Sequence, residues 1–183
     1  MEKINKIMEE IINKKHEELN KEQKLDDRFI KILNFEGNAI GQIGEIFVKQ
    51  IFREFNIPIK DIGKDIIHDE YDIMSGNYKI EIKTARKGRK NNNFQFNGIN
   101  PVYNHDFIIL IGLTTNKIYY QIIDGKVSYN HKNRKSYLTV NNRKRQLVSM
   151  NPGNTVNYKL TLTVNALKEI NTFVDDLKLL FNN

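Results

Sequence analysis

The chain contains no cysteine. That absence excludes disulfides, cysteine-ligated zinc and a thiol nucleophile together. No uninterrupted run of roughly 18 apolar residues occurs, so no transmembrane helix is expected. Met1 to Asn20 alternates charge with Ile and Leu and lacks the apolar stretch of a secretory signal, which makes a cytoplasmic protein the expectation. No G-x-x-x-x-G-K-[ST] loop is present, so ATP-driven action within this chain is not expected. The four histidines, His16, His68, His105 and His131, are scattered. His131-Lys132-Asn133 superficially matches an HNH nuclease, but no second histidine or ββα-metal pattern accompanies it.

Acidic residues are also missing from two places where basic ones concentrate. Lys83 to Lys90 (KTARKGRK) holds five cations and no acid, and His131 to Gln146 (HKNRKSYLTVNNRKRQ) holds six Lys or Arg and no acid. Together they account for much of the formal net charge of +7. Acid-free basic blocks beside Asn, Ser, Thr and Tyr suit phosphate contact. A solvated face is the plain alternative for either block alone.

What remains is enough for one domain. The 183 residues are 39% hydrophobic, sufficient to bury a core. The domain is expected to comprise a helical N-terminal part (1–38), a core (40–123) that holds the candidate catalytic residues described below, and a basic segment with a C-terminal helix (124–183) suited to DNA contact. Ile4, Ile7, Met8, Ile11 and Ile12 recur at helical spacing within one or two amphipathic helices over 2–33. A second helix is expected from about Ile40 to Phe55, with Gly41 and Gly44 near its start. Each of those glycines costs roughly 1 kcal/mol of helix propensity against Ala and suits a close backbone approach.

The period then changes from 3.6 to 2. Tyr71–Met74, a turn at Ser75-Gly76-Asn77 and Tyr78–Ala85 predict a β-hairpin. Phe94-Gln95-Phe96 alternates briefly. Phe107–Leu113 (FIILIGL) reads as a strand covered on both faces, with Ile118–Ile123 beside it. The stretch 124–153 is polar and ambiguous, with strand-like character at Tyr137–Val140. Tyr158–Val164 alternates as a strand, and Asn165 to Phe181 reads as a helix capped at Asn165. The expected class is α/β (α+β), a central mixed sheet flanked by helices.

Strand alternation places Ile80 and Ile82 on one face of the hairpin and Glu81 and Lys83 on the other. Asp72 lies on the partner strand, where the turn can bring it alongside; Asp69 and Glu70 are rival carboxylates. Two carboxylates are what a hard divalent cation takes from a protein, and a neighbouring ammonium can orient the attacking water or steady developing charge. A cross-strand ion pair on an exposed strand is the alternative. Gln95 could face this site, face DNA or serve as a structural amide. Asp106 reads as a strand-edge polar residue, and Thr84 and Arg86 continue the Glu81 strand.

Asp72…Glu81-Ile82-Lys83 resembles the D…ExK pattern of the PD-(D/E)XK nucleases, which include many type II restriction endonucleases, resolvases and repair nucleases. Gly41-Gln42-Ile43-Gly44-Glu45 occupies the place, ahead of a helix body, where members often carry a further Glu. The resemblance covers roughly residues 40–123. It implies a restriction-endonuclease-like core, Mg²⁺ as cofactor (Mn²⁺ able to substitute), metal ligation by Asp72, Glu81 and Glu45, and hydrolysis leaving 5′-phosphates. Tyr71 stands where the pattern has Pro, and the Asp-to-Glu gap is short.

The leading expectation is a type II restriction endonuclease, a homodimer cutting duplex DNA at a short palindromic site. Arg86, Arg89 and Lys90, with Lys132, Arg134, Lys135, Arg143, Lys144 and Arg145, are the expected phosphate contacts. Some of these, with Asn141, Asn142 or Gln146, are candidates for reading base edges. A resolvase or repair nuclease of the same superfamily, and a non-catalytic nucleic-acid-binding protein, are the alternatives.

Overall fold

The isoleucine stripe at the N-terminus winds into α1 (Glu2–Glu18), which buries Ile4, Ile7, Met8, Ile11 and Ile12. The structure is a computed structural model describing residues 2–18, 28–61, 71–88, 92–151, 153 and 155–182. A 3-10 turn at Ile30–Asn34 leads into α2 (Gly37–Glu54), whose Ile43, Phe47, Ile51 and Phe52 face the core. The helix therefore starts earlier than its apolar face announces. Gly41, Gly44 and Glu45 lie within it rather than ahead of its body.

Eleven strands follow among the described residues: β1 (Lys60–Asp61), β2 (Ile73–Ser75), β3 (Tyr78–Arg86), β4 (Asn93–Ile99), β5 (Phe107–Leu113), β6 (Ile118–Asp124), β7 (Ser128–Asn130), β8 (Lys135–Val140), β9 (Arg143–Ser149), β10 (Tyr158–Thr163) and β11 (Lys168–Glu169). The last element is α3 (Phe173–Phe181). One sheet runs β1-β2-β3-β5-β6-β11, and the other runs β4-β10-β9-β8-β7. The first is mixed, with β3 and β5 parallel in register Glu81↔Ile108 and Lys83↔Leu110. All pairs in the second are antiparallel.

Two cores result. Ile80, Ile82, Ile109, Ile111 and Leu113 join the helices on one side of the first sheet. Ala85, Ile108, Leu110 and Ile123 meet the inner face of the second sheet on the other. β5 is apolar throughout because its two faces enter different cores. The mixed α/β class stands. Helices cover one face only, however, and the opposite face is covered by a second sheet where flanking helices were expected. The crossover between parallel strands β3 and β5 carries β4, a strand of that second sheet, where a helix is usual.

The β2–β3 hairpin closes at Ser75↔Tyr78 across Gly76-Asn77, with Gly76 at φ +56°. A left-handed first turn residue suits the twist of a two-residue hairpin, and glycine adopts it without a Cβ clash. The ambiguous stretch 124–153 folds into β7, β8 and β9, joined by turns at 131–134 and 141–142. Asn141 and Asn142 sit at φ 49° and 61°, the left-handed pair of a two-residue hairpin turn. The C-terminal helix begins at Phe173, not Asn165. Lys168 and Glu169 instead pair with Tyr120 and Tyr119 of β6, and Thr172 precedes the helix without a side-chain cap. The described part of the C-terminal third is thus woven into the core, with β10 beside β4 and β11 beside β6. No helix among the described residues is long and apolar enough to cross a membrane.

Candidate active site

Alternation along β3 sends Ile80 and Ile82 into the helix-side core and leaves Glu81 and Lys83 on the opposite parity. Glu81 is only 8% exposed, and its carboxylate is ion-paired to the Lys83 ammonium. Asp72 immediately precedes β2. Its amide donates to the Ile80 carbonyl at 3.0 Å, and its Oδ2 accepts the Ile82 amide at 2.6 Å. The tight hairpin therefore brings the Asp72 carboxylate to the middle of β3, as the register requires.

Electrostatics ties a fourth residue to these three. Burial lifts the Glu81 carboxyl to about 7; the Asp72 charge adds to this, Lys83 opposes it, and Glu45 contributes in the same direction as Asp72. Burial would lower Lys83, but Glu81, Asp72 and Glu45 together hold its ammonium above the usual lysine range. Three carboxylates thus share one half-buried lysine; burial first, and the neighbouring negative charge second, favour the protonated form of Glu81. Glu45 reaches the site because α2 lies close against β3. A Cβ on Gly44 would overlap the Thr84 hydroxyl and stand 2.7 Å from the Thr84 Cβ. Gly41, by contrast, has open space around it.

Glu45 and Lys83 line a groove of about 970 Å³ between α2, the end of β3 and β4. Gln95 is exposed on its wall, with Asn93 and Asn97 on the same parity of β4. The last two were legible in principle, since N-F-Q-F-N alternates amide with phenylalanine. The groove's Asn157 carried no comparable signal.

Hard carboxylate donors in negative excess suit a divalent cation such as Mg²⁺, with Asp72, Glu81 and Glu45 as the residues that would hold it. They are not gathered into a ready ligand set: among the described residues no three His, Asp or Glu side chains are placed to hold a metal ion. One Glu81 oxygen pairs with Lys83 and one Asp72 oxygen accepts the Ile82 amide, which leaves each carboxylate a second oxygen for a cation.

The other expected residues divide. Arg86 donates to the carbonyls of Ile32 (2.8 Å) and Phe35 (3.4 Å), tying the 3-10 turn to β3. Arg89, Lys90, His68, Asp69 and Glu70 lie outside the described residues. Lys132 and Arg134 are exposed in the turn before β8, Arg134 at φ +55°. Lys135, Lys144 and Gln146 are exposed on one parity of β8 and β9, whereas Arg143 and Arg145 take the other. Arg145 is half-buried there, opposite Leu138. Asn141 donates its amide to the Ala166 carbonyl at 3.0 Å, which gives it a structural tie, while Asn142 stays exposed. Asp106 accepts the Lys79 amide at 2.8 Å, the strand-edge role expected of it. No protein-family model, curated protein or solved structure matches this chain.

Proposed function

We propose that the chain is a Mg²⁺-dependent endonuclease that hydrolyses phosphodiester bonds of duplex DNA. One observation carries the reading: Glu81 is ion-paired to Lys83 on one strand, the Asp72 carboxylate is held against the same strand at the Ile82 amide, and Glu45 lines one groove with Lys83. A divalent cation, when bound there, polarises a phosphate and lowers the pKa of a bound water. Asp72 and Glu81 supply carboxylate oxygens, and Glu45 adds charge from across the groove. Released from Glu81, the Lys83 ammonium offers three N–H donors to a phosphate oxygen or an attacking water at the groove wall. The finer reading is a type II restriction endonuclease, homodimeric, leaving 5′-phosphates and accepting Mn²⁺ in place of Mg²⁺; a resolvase or repair nuclease uses the same chemistry.

Incubation of the purified protein with supercoiled plasmid and Mg²⁺ tests this. Cleavage is expected, with Glu81→Ala and Lys83→Ala each at least about a hundredfold slower, in line with lost transition-state contacts of roughly 3 kcal/mol. Discrete bands indicate a sequence-specific enzyme, a smear a non-specific one, and preference for a cruciform a resolvase. The direct Glu81–Lys83 ion pair favours a second reading, a non-catalytic nucleic-acid-binding protein. Wild-type protein that binds DNA but never cuts it in Mg²⁺ or Mn²⁺ would establish that one.

A further inference from the structure

The second sheet carries charge of one sign only. None of the residues in β4, β7, β8, β9 or β10 is Asp or Glu, and the sequence has no acid anywhere from Gly125 to Lys168. The inner parity of this sheet is closed by Phe94, Phe96, Leu138, Leu147, Leu160 and Leu162. Its outer parity can be read from the register. Thr163 lies opposite Asn93 and Thr161 opposite Gln95, while Lys159 faces Val148. Gln146 lies opposite Tyr137 and Lys144 opposite Thr139. Lys135, Lys144 and Gln146 are exposed, as are Thr139 and Thr161, and Lys159 is half-buried. The result is an open face of ammonium, amide and hydroxyl groups, broken by the exposed Val148, with no carboxylate on any of its own strands to compete for them.

We infer that this outer face is the docking surface for the duplex, feeding it to the groove across β4. The inference rests on the nuclease reading for its choice of polyanion, and on the sheet itself for its location. Four inter-strand spacings make the face about 19 Å wide, and six residues make it about 20 Å long. At 3.4 Å per base pair that covers about six base pairs, room enough for one phosphate contact from each of Lys135, Lys144 and Lys159. Gln95 belongs both to this face, opposite Thr161, and to the groove wall that Glu45 and Lys83 line. A duplex on the sheet therefore meets the candidate site at its β4 edge. A single strand would need aromatic platforms for its unstacked bases. The outer positions offer only Tyr137, half-buried and bonded through its hydroxyl to the Asn133 amide at 2.8 Å. The face is built for a paired backbone.

The test is equilibrium binding of a fluorescent 24-base-pair duplex in Ca²⁺, titrated with salt. Lys135→Ala/Lys144→Ala/Lys159→Ala is compared with Lys6→Ala/Lys14→Ala/Lys126→Ala, which removes equal charge from exposed positions elsewhere. The sheet triple should bind at least about tenfold more weakly at 100 mM salt, its log K against log salt slope shallower by about 2.7, or 0.9 per lost phosphate. The control triple should stay within about twofold of wild type. Equal losses in the two triples, no loss in the sheet triple, or single-stranded 24-mer binding as tightly as duplex would each overturn the docking surface. Unchanged circular dichroism and melting temperature confirm that the triples are folded. Plasmid cleavage is scored separately, so the two readings can fail independently. A sheet triple that alone loses duplex, beside a wild type that never cuts, keeps the surface and removes the nuclease. A cutting enzyme whose sheet triple binds normally does the reverse.

Discussion

At the scale of single residues, Glu81 is where function and stability pull apart. Burial and the Asp72 charge hold its carboxyl near 7, well above the ordinary 4.5. Between those values the native protein carries a proton that the unfolded chain has lost. The native-state advantage is therefore full below about 4.5 and is lost as pH rises through about 7. Glu81→Gln keeps the shape and removes the charge, leaving Lys83 with Asp72 and Glu45. In EDTA at pH 8 the variant should melt several degrees above wild type, since about 1 kcal/mol moves a domain of this size by about 2–4 °C. At pH 5 the gain should largely vanish. Comparing variant with wild type at each pH cancels the titration of the rest of the molecule. A variant that melts lower at pH 8 would show that the Glu81–Lys83 pair stabilises the site. Mg²⁺ should reverse the ranking at pH 8, raising the melting temperature of wild type and leaving that of Glu81→Gln nearly unchanged, because binding to the native state alone shifts the unfolding equilibrium.

At the scale of elements, the approach of α2 to β3 decides whether Glu45 belongs to the site. Gly44 permits it, and its neighbour Gly41 serves as the control. Gly44→Ala gains roughly 1 kcal/mol of helix propensity but must push Thr84 aside, an overpacking cost of about 1–3 kcal/mol. Gly41→Ala gains the propensity with open space around its Cβ. Urea unfolding should therefore place Gly41→Ala at or above wild type and Gly44→Ala below it. Equal midpoints for the two would mean that the helix is free to shift. The sequence marked both glycines but could not rank them, because the Thr84 partner is 40 positions away in the chain and visible only once folded. The β2–β3 hairpin was legible because isoleucines hold three of its inward positions, Ile73, Ile80 and Ile82, and a Ser-Gly-Asn turn joins the strands. The β8–β9 hairpin was not: its inward positions include Ser136, Arg143, Arg145 and Ser149, which hide the period of two. The C-terminal segment misled for the opposite reason. Ile170, Val174, Leu177 and Phe181 hold helical spacing, yet residues ahead of Phe173 are recruited as an edge strand by β6. Glu81, Lys83 and Asp72 followed from alternation and a turn. Glu45 needed the family resemblance, since no local pattern links a helix to a strand.

At the scale of the whole molecule, the candidate site belongs to one sheet and the proposed docking surface to the other, so their coupling depends on how the two cores are joined. β5 is the shared wall. Ile109 enters the helix-side core, and Leu110, the next residue, enters the core between the sheets. Both are fully buried. Truncating either to Ala should cost about 2–5 kcal/mol, a large share of the 5–15 kcal/mol that typically holds a domain together. Because both side chains hang from the same strand, Ile109→Ala and Leu110→Ala should each lower one common transition. Tyrosine fluorescence and far-ultraviolet circular dichroism should then give coincident urea curves in both variants. Coincidence would mean that a duplex held on the outer sheet is held in fixed relation to Glu81 and Lys83, through β4 and β5. A separate, earlier transition in Leu110→Ala would instead make the second sheet its own folding unit. Its hold on DNA could then be lost without disturbing the carboxylates, and Gln95, which stands on both the face and the groove, would be the first groove residue to move away from Lys83.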